Sequence, residues 1–223
     1  MLRLIIGNKV YSSWSLRGWL AAKQSGLPFE EVVASLFDEA WEARKQAPDL
    51  APSAGKVPIL WDGDIAIWDS LAILDYLDTL SGGTRFWPTD KAALALARSM
   101  CAEMHAGYQP LRQACGMNTR HVLPPRDLGP DVTANVARIT TLWARARTRF
   151  GAGGDFLFGT FGAADIMFAP VVSRFVTYSI AVPAPARAYM DAVLDHPFMR
   201  EWLAGAAAET WVVPRLEPDS ASA

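Results

Sequence analysis

Residues 55–74 of this chain read GKVPILWDGDIAIWDSLAIL. The β-favouring residues on either side of Asp62-Gly63 predict two short strands joined by a tight turn, followed by a helix that begins at Ser70. The Val57-Pro58 bond enters the first strand, and a cis peptide is tolerated there because the cis form of an X-Pro bond costs only about 0.5–1 kcal/mol. A cis bond turns the backbone of Val57 outward, so this residue can pair with an extended ligand.

The helix start that follows offers a second set of contacts to the same ligand. Asp69 contributes a carboxylate, Ser70 contributes a hydroxyl, and the first turn of the helix contributes free backbone N–H groups. Together these groups can hold an amino-acid head with its ammonium and its carboxylate. The alternative interpretation is a plain helix cap, for which Asp and Ser are equally suited. Taken with Val57-Pro58, the pattern predicts a small zwitterionic peptide as the ligand.

A serine-rich stretch near the N-terminus, residues 12–17, reads SSWSLR. With VPIL at 57–60 and DSLAI at 69–73, in this order, it resembles the cytosolic glutathione transferases and is most similar to their serine-type, zeta-like branch. The resemblance implies an α/β thioredoxin-like N-terminal domain, an all-α C-terminal helical domain, glutathione as co-substrate and a homodimer. The chain departs from the zeta-like pattern at Trp14, where those enzymes often carry cysteine.

A change of pattern near residue 81 divides the chain. Short strand-like runs alternate with helical stretches before it, whereas helices alone are predicted after it. We therefore expect a thioredoxin-like, glutathione-binding domain over 1–80, a turn-rich linker over 81–89 and a helical domain over 90–216. The final residues, 217–223, are predicted to form a disordered tail.

Two expectations concern the helical half. Asp90 is predicted to cap one long helix that runs to about Cys115; Cys101 and Cys115 would then lie about 21 Å apart and could not form a disulfide. A later helix begins near Gly162, where the glutathione transferases that the chain resembles normally have a serine or threonine as the N-cap. Because glycine offers no side chain there, we expect Asp165 to reach back to the Gly162 N–H.

Composition limits the classes of partner. The 223 residues carry a formal net charge of −2, and no basic stripe is visible, which argues against nucleic acid or an anionic membrane as the main partner. No leader-like segment opens the chain, and no apolar run approaches the roughly 20 residues that span a bilayer. A cytoplasmic location is therefore expected.

The resemblance makes Ser12 the first candidate for the catalytic residue and Ser13 the second. A serine O–H that donates to a thiolate at a helix N-terminus favours the charged form of the thiol. Lowering a thiol pKa by two units needs about 2.7 kcal/mol, and one charge-assisted hydrogen bond with a helix end supplies about that much. The alternative is that both serines are only caps of the first helix.

Other candidates surround this predicted site. Lys56 could bind the terminal carboxylate of glutathione, although a solvated loop lysine is the common alternative. Tyr108 is placed in a co-substrate pocket between the domains, although such helical positions more often belong to a core. Arg174, inside an apolar helix, needs a carboxylate that comes either from an acidic substrate or from an internal ion pair. Arg120 is a weaker second cation.

These residues predict a glutathione transferase that activates the thiol with a serine and adds it to a small electrophile, and Arg174 favours an anionic one. Two alternatives stay open: a glutathione-dependent cis-trans isomerase of the maleylacetoacetate type, and a non-catalytic binding module. The three histidines are widely separated, so no metal site is expected. The absence of a Cys-x-x-Cys motif gives no support to disulfide exchange.

Overall fold

A computed structural model describes residues 1–217 and contains a four-stranded mixed sheet with the strand order β2-β1-β3-β4. The strands are β1 Leu2–Gly7, β2 Phe29–Ala34, β3 Ile59–Asp62 and β4 Ile65–Ile67. β1 runs parallel to β2 and antiparallel to β3, with Ile5 opposite Ile59, and β3 forms a hairpin with β4. The α/β fold class predicted for the N-terminal part is confirmed.

The helices follow the order expected from the sequence. Within residues 1–217 they are α1 Ser13–Ser25, α2 Trp41–Lys45, α3 Ser70–Leu80, α4 Lys91–Ala106, α5 Gln109–Ala114, α6 Pro130–Phe150, α7 Ala163–Thr177, α8 Ala184–Asp195 and α9 Pro197–Ala208, with short 3-10 turns at Ala51–Ser53 and Pro214–Leu216. Among the residues that the structure describes, no strand follows α3, so the all-α C-terminal part of the predicted fold is also confirmed.

Alternation along β1 separates the two faces of the sheet. Leu4 and Ile6 point into the large core that contains α1, α3 and the C-terminal helices, whereas Ile5 packs on the opposite face with Ile59 and Trp41. This division follows from the two-residue period of a strand. One continuous core therefore joins the sheet to the helical half and fixes α1 between them.

The single long helix predicted from Asp90 to Cys115 is wrong. α4 ends at Ala106, and α5 starts only at Gln109. Tyr108 has a φ of +62°, a left-handed value that a continuous helix does not permit. Pro110 lies in the first turn of α5, where its missing N–H costs no hydrogen bond. The break brings the start of α5 back toward the end of α4.

α7 is the central helix of the C-terminal half and is buried over nearly all its length. Its Phe168 and Phe175 pack against the Trp143 ring, with centroids 5.8 and 5.7 Å away. As predicted, Asp165 accepts a hydrogen bond from the Gly162 N–H, at 2.9 Å. α7 also packs against α1. This contact places the side chain of Arg174, on α7, beside Ser13 at the start of α1.

The C-terminal end folds back on the loop before α1. The Glu209 carboxylate accepts hydrogen bonds from the Lys9 N–H at 2.6 Å and the Val10 N–H at 3.1 Å. Glu217, the first residue of the predicted disordered tail, accepts from the Tyr11 hydroxyl and the Asn118 amide. The rest of that predicted tail, 218–223, lies outside the described residues. Within the described part of the chain, no helix is both long and apolar enough to cross a membrane.

Candidate active site

The strand entrance has the geometry expected of a backbone clamp. The Val57-Pro58 peptide is cis, as predicted. Pro58 is buried against Gly18 of α1, and a Cβ at Gly18 would lie 2.8 Å from the proline ring, so only glycine permits this approach. Within residues 1–217 the backbone of Val57 makes no hydrogen bond, and Lys56 is exposed. Both residues are therefore available to a ligand.

The start of α3 serves both as a cap and as a polar surface. One carboxylate oxygen of Asp69 accepts from the Leu71 N–H at 3.1 Å, and the other lies 3.1 Å from Nε2 of His105 on α4. The Asp69 side chain remains about half exposed, at 49%. The Ser70 hydroxyl is buried and has no partner among the described residues. Asp69 is therefore the N-cap of α3, but only one of its two carboxylate oxygens accepts the capping hydrogen bond.

The serines at the start of α1 have different surroundings. Ser12 is the N-cap: its Oγ accepts from the Ser15 N–H at 3.3 Å and donates to the Ser15 hydroxyl at 2.8 Å. Ser15 Oγ in turn accepts from the Gly7 N–H at 2.8 Å. Ser13 is the first residue of the helix, and its Oγ accepts from Nη2 of Arg174 at 3.1 Å.

Arg174 connects α7 to this helix start. Its second guanidinium nitrogen donates to the carbonyl of Cys115. No carboxylate lies within ion-pair distance of Arg174 in the described part of the chain, so the internal ion pair proposed as its alternative role is not formed there. Burial, and then the nearby charge of Arg112, lower the pKa of Arg174 to about 10.

Two arginines that the sequence did not mark as site residues complete a cationic cluster. The guanidinium of Arg17 lies 4.8 Å from the centre of the Trp14 ring, and that of Arg112 lies 5.1 Å from it. Arg17 is 1% exposed, and its Nη1 has no hydrogen-bond partner among the described residues. Burial and the charges of Arg112 and Arg174 lower the pKa of Arg17 to about 9.

A signal for this cluster exists in the sequence. Arg17 is the last residue of the serine motif at 12–17, and Arg112 lies on the helical stretch that was predicted to line the co-substrate pocket together with Tyr108. His105 lies on the same helical stretch. Its edge contact with Trp14, at 5.4 Å between ring centres, and its contact with Asp69 join the start of α1 to the start of α3. None of these contacts follows from local spacing.

Two of the predicted substrate residues, Tyr108 and Arg120, have hydrogen-bond partners within the protein. The Tyr108 hydroxyl donates to Glu103 at 2.6 Å, and Glu103 also pairs with Arg138 on α6. Burial and then Glu103 raise the pKa of Tyr108 well above its usual range. Arg120 donates to the Tyr11 hydroxyl at 2.9 Å and to the backbone carbonyl at the end of α9. Both side chains have protein partners and do not join the Arg174 cluster.

An open groove of about 600 Å³ lies between α3 and α4. It is bordered by Asp69 and His105 at one end and includes the exposed Trp68. Among residues 1–217, no group of three or more His, Cys, Asp or Glu side chains is arranged to hold a metal ion. Cys101 and Cys115 are buried and unbridged, and burial raises the pKa of Cys115 to about 11, so neither is a reactive thiolate.

Comparison with protein families gives two matches in chain order. Residues 11–80 match the glutathione S-transferase N-terminal domain, and residues 130–205 match the glutathione S-transferase C-terminal domain. Among curated proteins, the chain is 27% identical over 146 residues to glutathione S-transferase T1 of Arabidopsis thaliana. The aligned part covers 60% of this chain. It spans 58% of the length of the plant protein.

Solved structures share the fold at low identity. A Burkholderia glutathione transferase homologue with bound glutathione superposes with a TM-score of 0.69 at 21% identity, covering 93% of this chain and 99% of the other. The theta class glutathione S-transferase of Xanthomonas axonopodis pv. citri, also with glutathione bound, gives 0.64 at 19% identity, covering 91% and 96%. At these low sequence identities, the superpositions show that the fold is shared.

Proposed function

Since this chain belongs to the glutathione S-transferase family, we propose that it is an enzyme that binds glutathione as a thiolate and adds the sulfur to a small electrophile. One observation carries the proposal: the start of α1 and the start of α3 are linked side by side. Trp14, next to Ser13, contacts His105, and His105 contacts Asp69. A thiol-activating helix end and a head-group site therefore lie within reach of one short peptide.

The roles along the peptide follow from the groups available. The γ-glutamyl end lies at Asp69 and Ser70, where a carboxylate oxygen and an unpartnered hydroxyl are present. The free backbone of Val57, beside Pro58, pairs with the middle of the peptide, and Lys56 binds its terminal carboxylate. The sulfur then lies toward the N-terminus of α1, where the helix dipole favours negative charge.

The electrophile is proposed to carry a negative charge. Arg174 is buried beside Ser13 without a carboxylate partner in the described chain, and an anionic substrate supplies what it lacks. Reversible addition to such a substrate also permits cis-trans isomerisation, so the isomerase alternative uses the same site. A panel of thiol-conjugation and double-bond isomerisation assays separates the two, and activity in neither favours a binding module. The homodimer implied by the resemblance and the cytoplasmic location expected from the sequence both stay predictions.

Calorimetric titration of glutathione into Asp69 variants tests the proposal. Asp69→Ala removes the charge together with the cap, and Asp69→Asn removes the charge but keeps a good cap. We expect both variants to bind glutathione about tenfold more weakly or worse, because the ligand ammonium loses its charged partner. Asp64→Ala, at the exposed turn before β4, is the matched control. Unchanged affinity in Asp69→Asn would contradict the head-group site.

A further inference from the structure

We propose that Ser13, held and polarised by Arg174, is the thiol-activating hydroxyl, and that the bound thiolate is the anion that balances the Arg17, Arg112 and Arg174 cluster. This rests on the proposed function, since it assigns roles within the same glutathione site. It reverses the order of candidates from the sequence, which favoured Ser12. It also gives Arg174 a positioning role toward the sulfur in addition to its proposed contact with substrate.

The hydrogen bonds of Ser12 are used within the protein. Its Oγ accepts from the Ser15 N–H and donates to the Ser15 hydroxyl, and that hydroxyl is fixed by the Gly7 N–H at the end of β1. A ligand that takes the Ser12 proton must break this arrangement. Ser12 is therefore suited to capping α1 and fixing its connection to β1.

The hydroxyl of Ser13 is arranged in the opposite way. Its oxygen accepts from Nη2 of Arg174 at 3.1 Å, and its own proton has no acceptor within residues 1–217. A hydroxyl whose oxygen accepts from a cation becomes a stronger donor, because hydrogen bonds in a chain polarise one another. Ser13 is also the first residue of α1, where the backbone N–H groups of the helix end favour an anion.

The charges around Ser13 need an anion. Arg174 and Arg17 are 7% and 1% exposed, Arg112 faces the same Trp14 ring as Arg17, and one nitrogen of Arg17 has no partner. The Asp69 carboxylate acts on Arg17 from the start of α3, but within residues 1–217 none of the three arginines forms an ion pair, and buried like charges without a paired counter-ion are costly. A thiolate that accepts from Ser13 lies one hydrogen bond beyond Arg174, so it relieves this repulsion. The cluster in turn favours the thiolate over the thiol.

Activation of the bound thiol requires only the loss of its proton. When glutathione binds, its S–H bond breaks, the proton passes to solvent, and the sulfur keeps the electron pair. Ser13 keeps its own proton and donates it in a hydrogen bond to the sulfur. Arg174 donates to the Ser13 oxygen throughout and does not change its protonation.

Titration of bound glutathione tests the assignment, with the ultraviolet absorbance of the thiolate followed against pH in the full-length protein. We expect Ser13→Ala and Arg174→Met each to raise the midpoint by about one pH unit or more. The double variant should shift little further than the larger single one, since the two residues act as a unit. Arg174→Lys, which keeps the charge, should recover part of the shift.

Ser12→Ala and Arg145→Met are the controls. Arg145 is an exposed arginine of α6, so its loss removes a charge without touching the site. Both controls should keep the wild-type midpoint. A shift in Ser12→Ala but not in Ser13→Ala, or a wild-type midpoint in Arg174→Met, would overturn the proposal. If Arg174→Met does not fold, the two serine variants still decide.

Measurements on the same variants distinguish failure of the proposed function from failure of the Ser13 assignment alone. If calorimetry shows that the wild-type protein does not bind glutathione, both the proposed function and this inference fail. If glutathione binds and ionises but the midpoint does not depend on Ser13 or Arg174, only this inference fails. If the arginine variants change KM for anionic electrophiles without moving the midpoint, the cluster serves the substrate and not the thiolate, which also overturns it.

Discussion

Helices α1 and α7 pack against each other, yet their N-terminal ends are completed in different ways. At α7 the cap Gly162 has no side chain, and Asp165 satisfies both nearby backbone donors, the Gly162 N–H at 2.9 Å and the Leu157 N–H at 3.1 Å. At α1, Ser12 makes the cap, but the next residue, Ser13, keeps a hydroxyl proton without an acceptor in the described chain.

The difference separates a structural helix end from one that can take a ligand. A buried polar group left without a partner costs about 1–3 kcal/mol, so the end of α7 is closed and stabilising. The end of α1 retains unused donors, namely the hydroxyl proton of Ser13 and Nη1 of Arg17, and gains from an anion. Substitutions at the two ends should therefore change the free energy of unfolding by different amounts.

The largest effect is expected at α7. Asp165→Ala removes the acceptor of two backbone N–H groups, so we expect the free energy of unfolding to fall by about 2–4 kcal/mol. Asp165→Asn keeps one oxygen acceptor and should lose less. Denaturant unfolding monitored by circular dichroism measures both. A loss below about 0.5 kcal/mol in Asp165→Ala would show that this helix end does not depend on its acidic residue.

The second effect concerns the two serines of α1. Ser12→Ala removes the cap and should lower the free energy of unfolding by about 1 kcal/mol. Ser13→Ala removes no cap but leaves Nη2 of the buried Arg174 without its acceptor. In an Arg174→Met background, where that nitrogen is gone, Ser13→Ala should therefore cost less than half as much as Ser12→Ala, by the same denaturant assay in the absence of glutathione. Equal losses for the two variants would contradict the division of roles between them.

The smallest effect is expected at Glu217, which borders α1 through Tyr11. Burial would raise the pKa of Glu217, but hydrogen bonds from Tyr11, His121 and Asn118 outweigh it and hold the pKa below its usual value. A carboxylate with a lowered pKa adds stability at neutral pH, and this is lost as the pH falls through the folded-state value. Glu217→Gln should therefore cost under about 1 kcal/mol at pH 7 and still less near pH 3.

Unfolding curves of wild type and Glu217→Gln at both pH values measure this difference. A gap between the two proteins that widens on acidification would have the opposite sign and would rule out the carboxylate contribution.

The pattern of strands and helices together with the family resemblance predicted the fold, and local sequence predicted two backbone features of the candidate site. Val57-Pro58 and Asp69-Ser70 were recognisable because a cis-proline strand and a helix cap depend on adjacent residues. The break at Tyr108 was missed because a left-handed residue between two helical patterns leaves the apolar spacing almost intact. The setting of Arg174 could not be predicted, since Ser13 is 161 residues away in sequence and only packing of α7 on α1 brings them together.

The loop before α1 depends on a residue near the other end of the chain. The Glu209 carboxylate accepts hydrogen bonds from the N–H groups of Lys9 and Val10. Only Tyr11 separates these two residues from the serines at the start of α1. During synthesis, the first strand and first helix leave the ribosome long before Glu209 is added. This connection of the loop to the rest of the protein is therefore made only after residue 209 has been synthesised, so a nascent chain shorter than that lacks one of the anchors of the loop that leads into the candidate site.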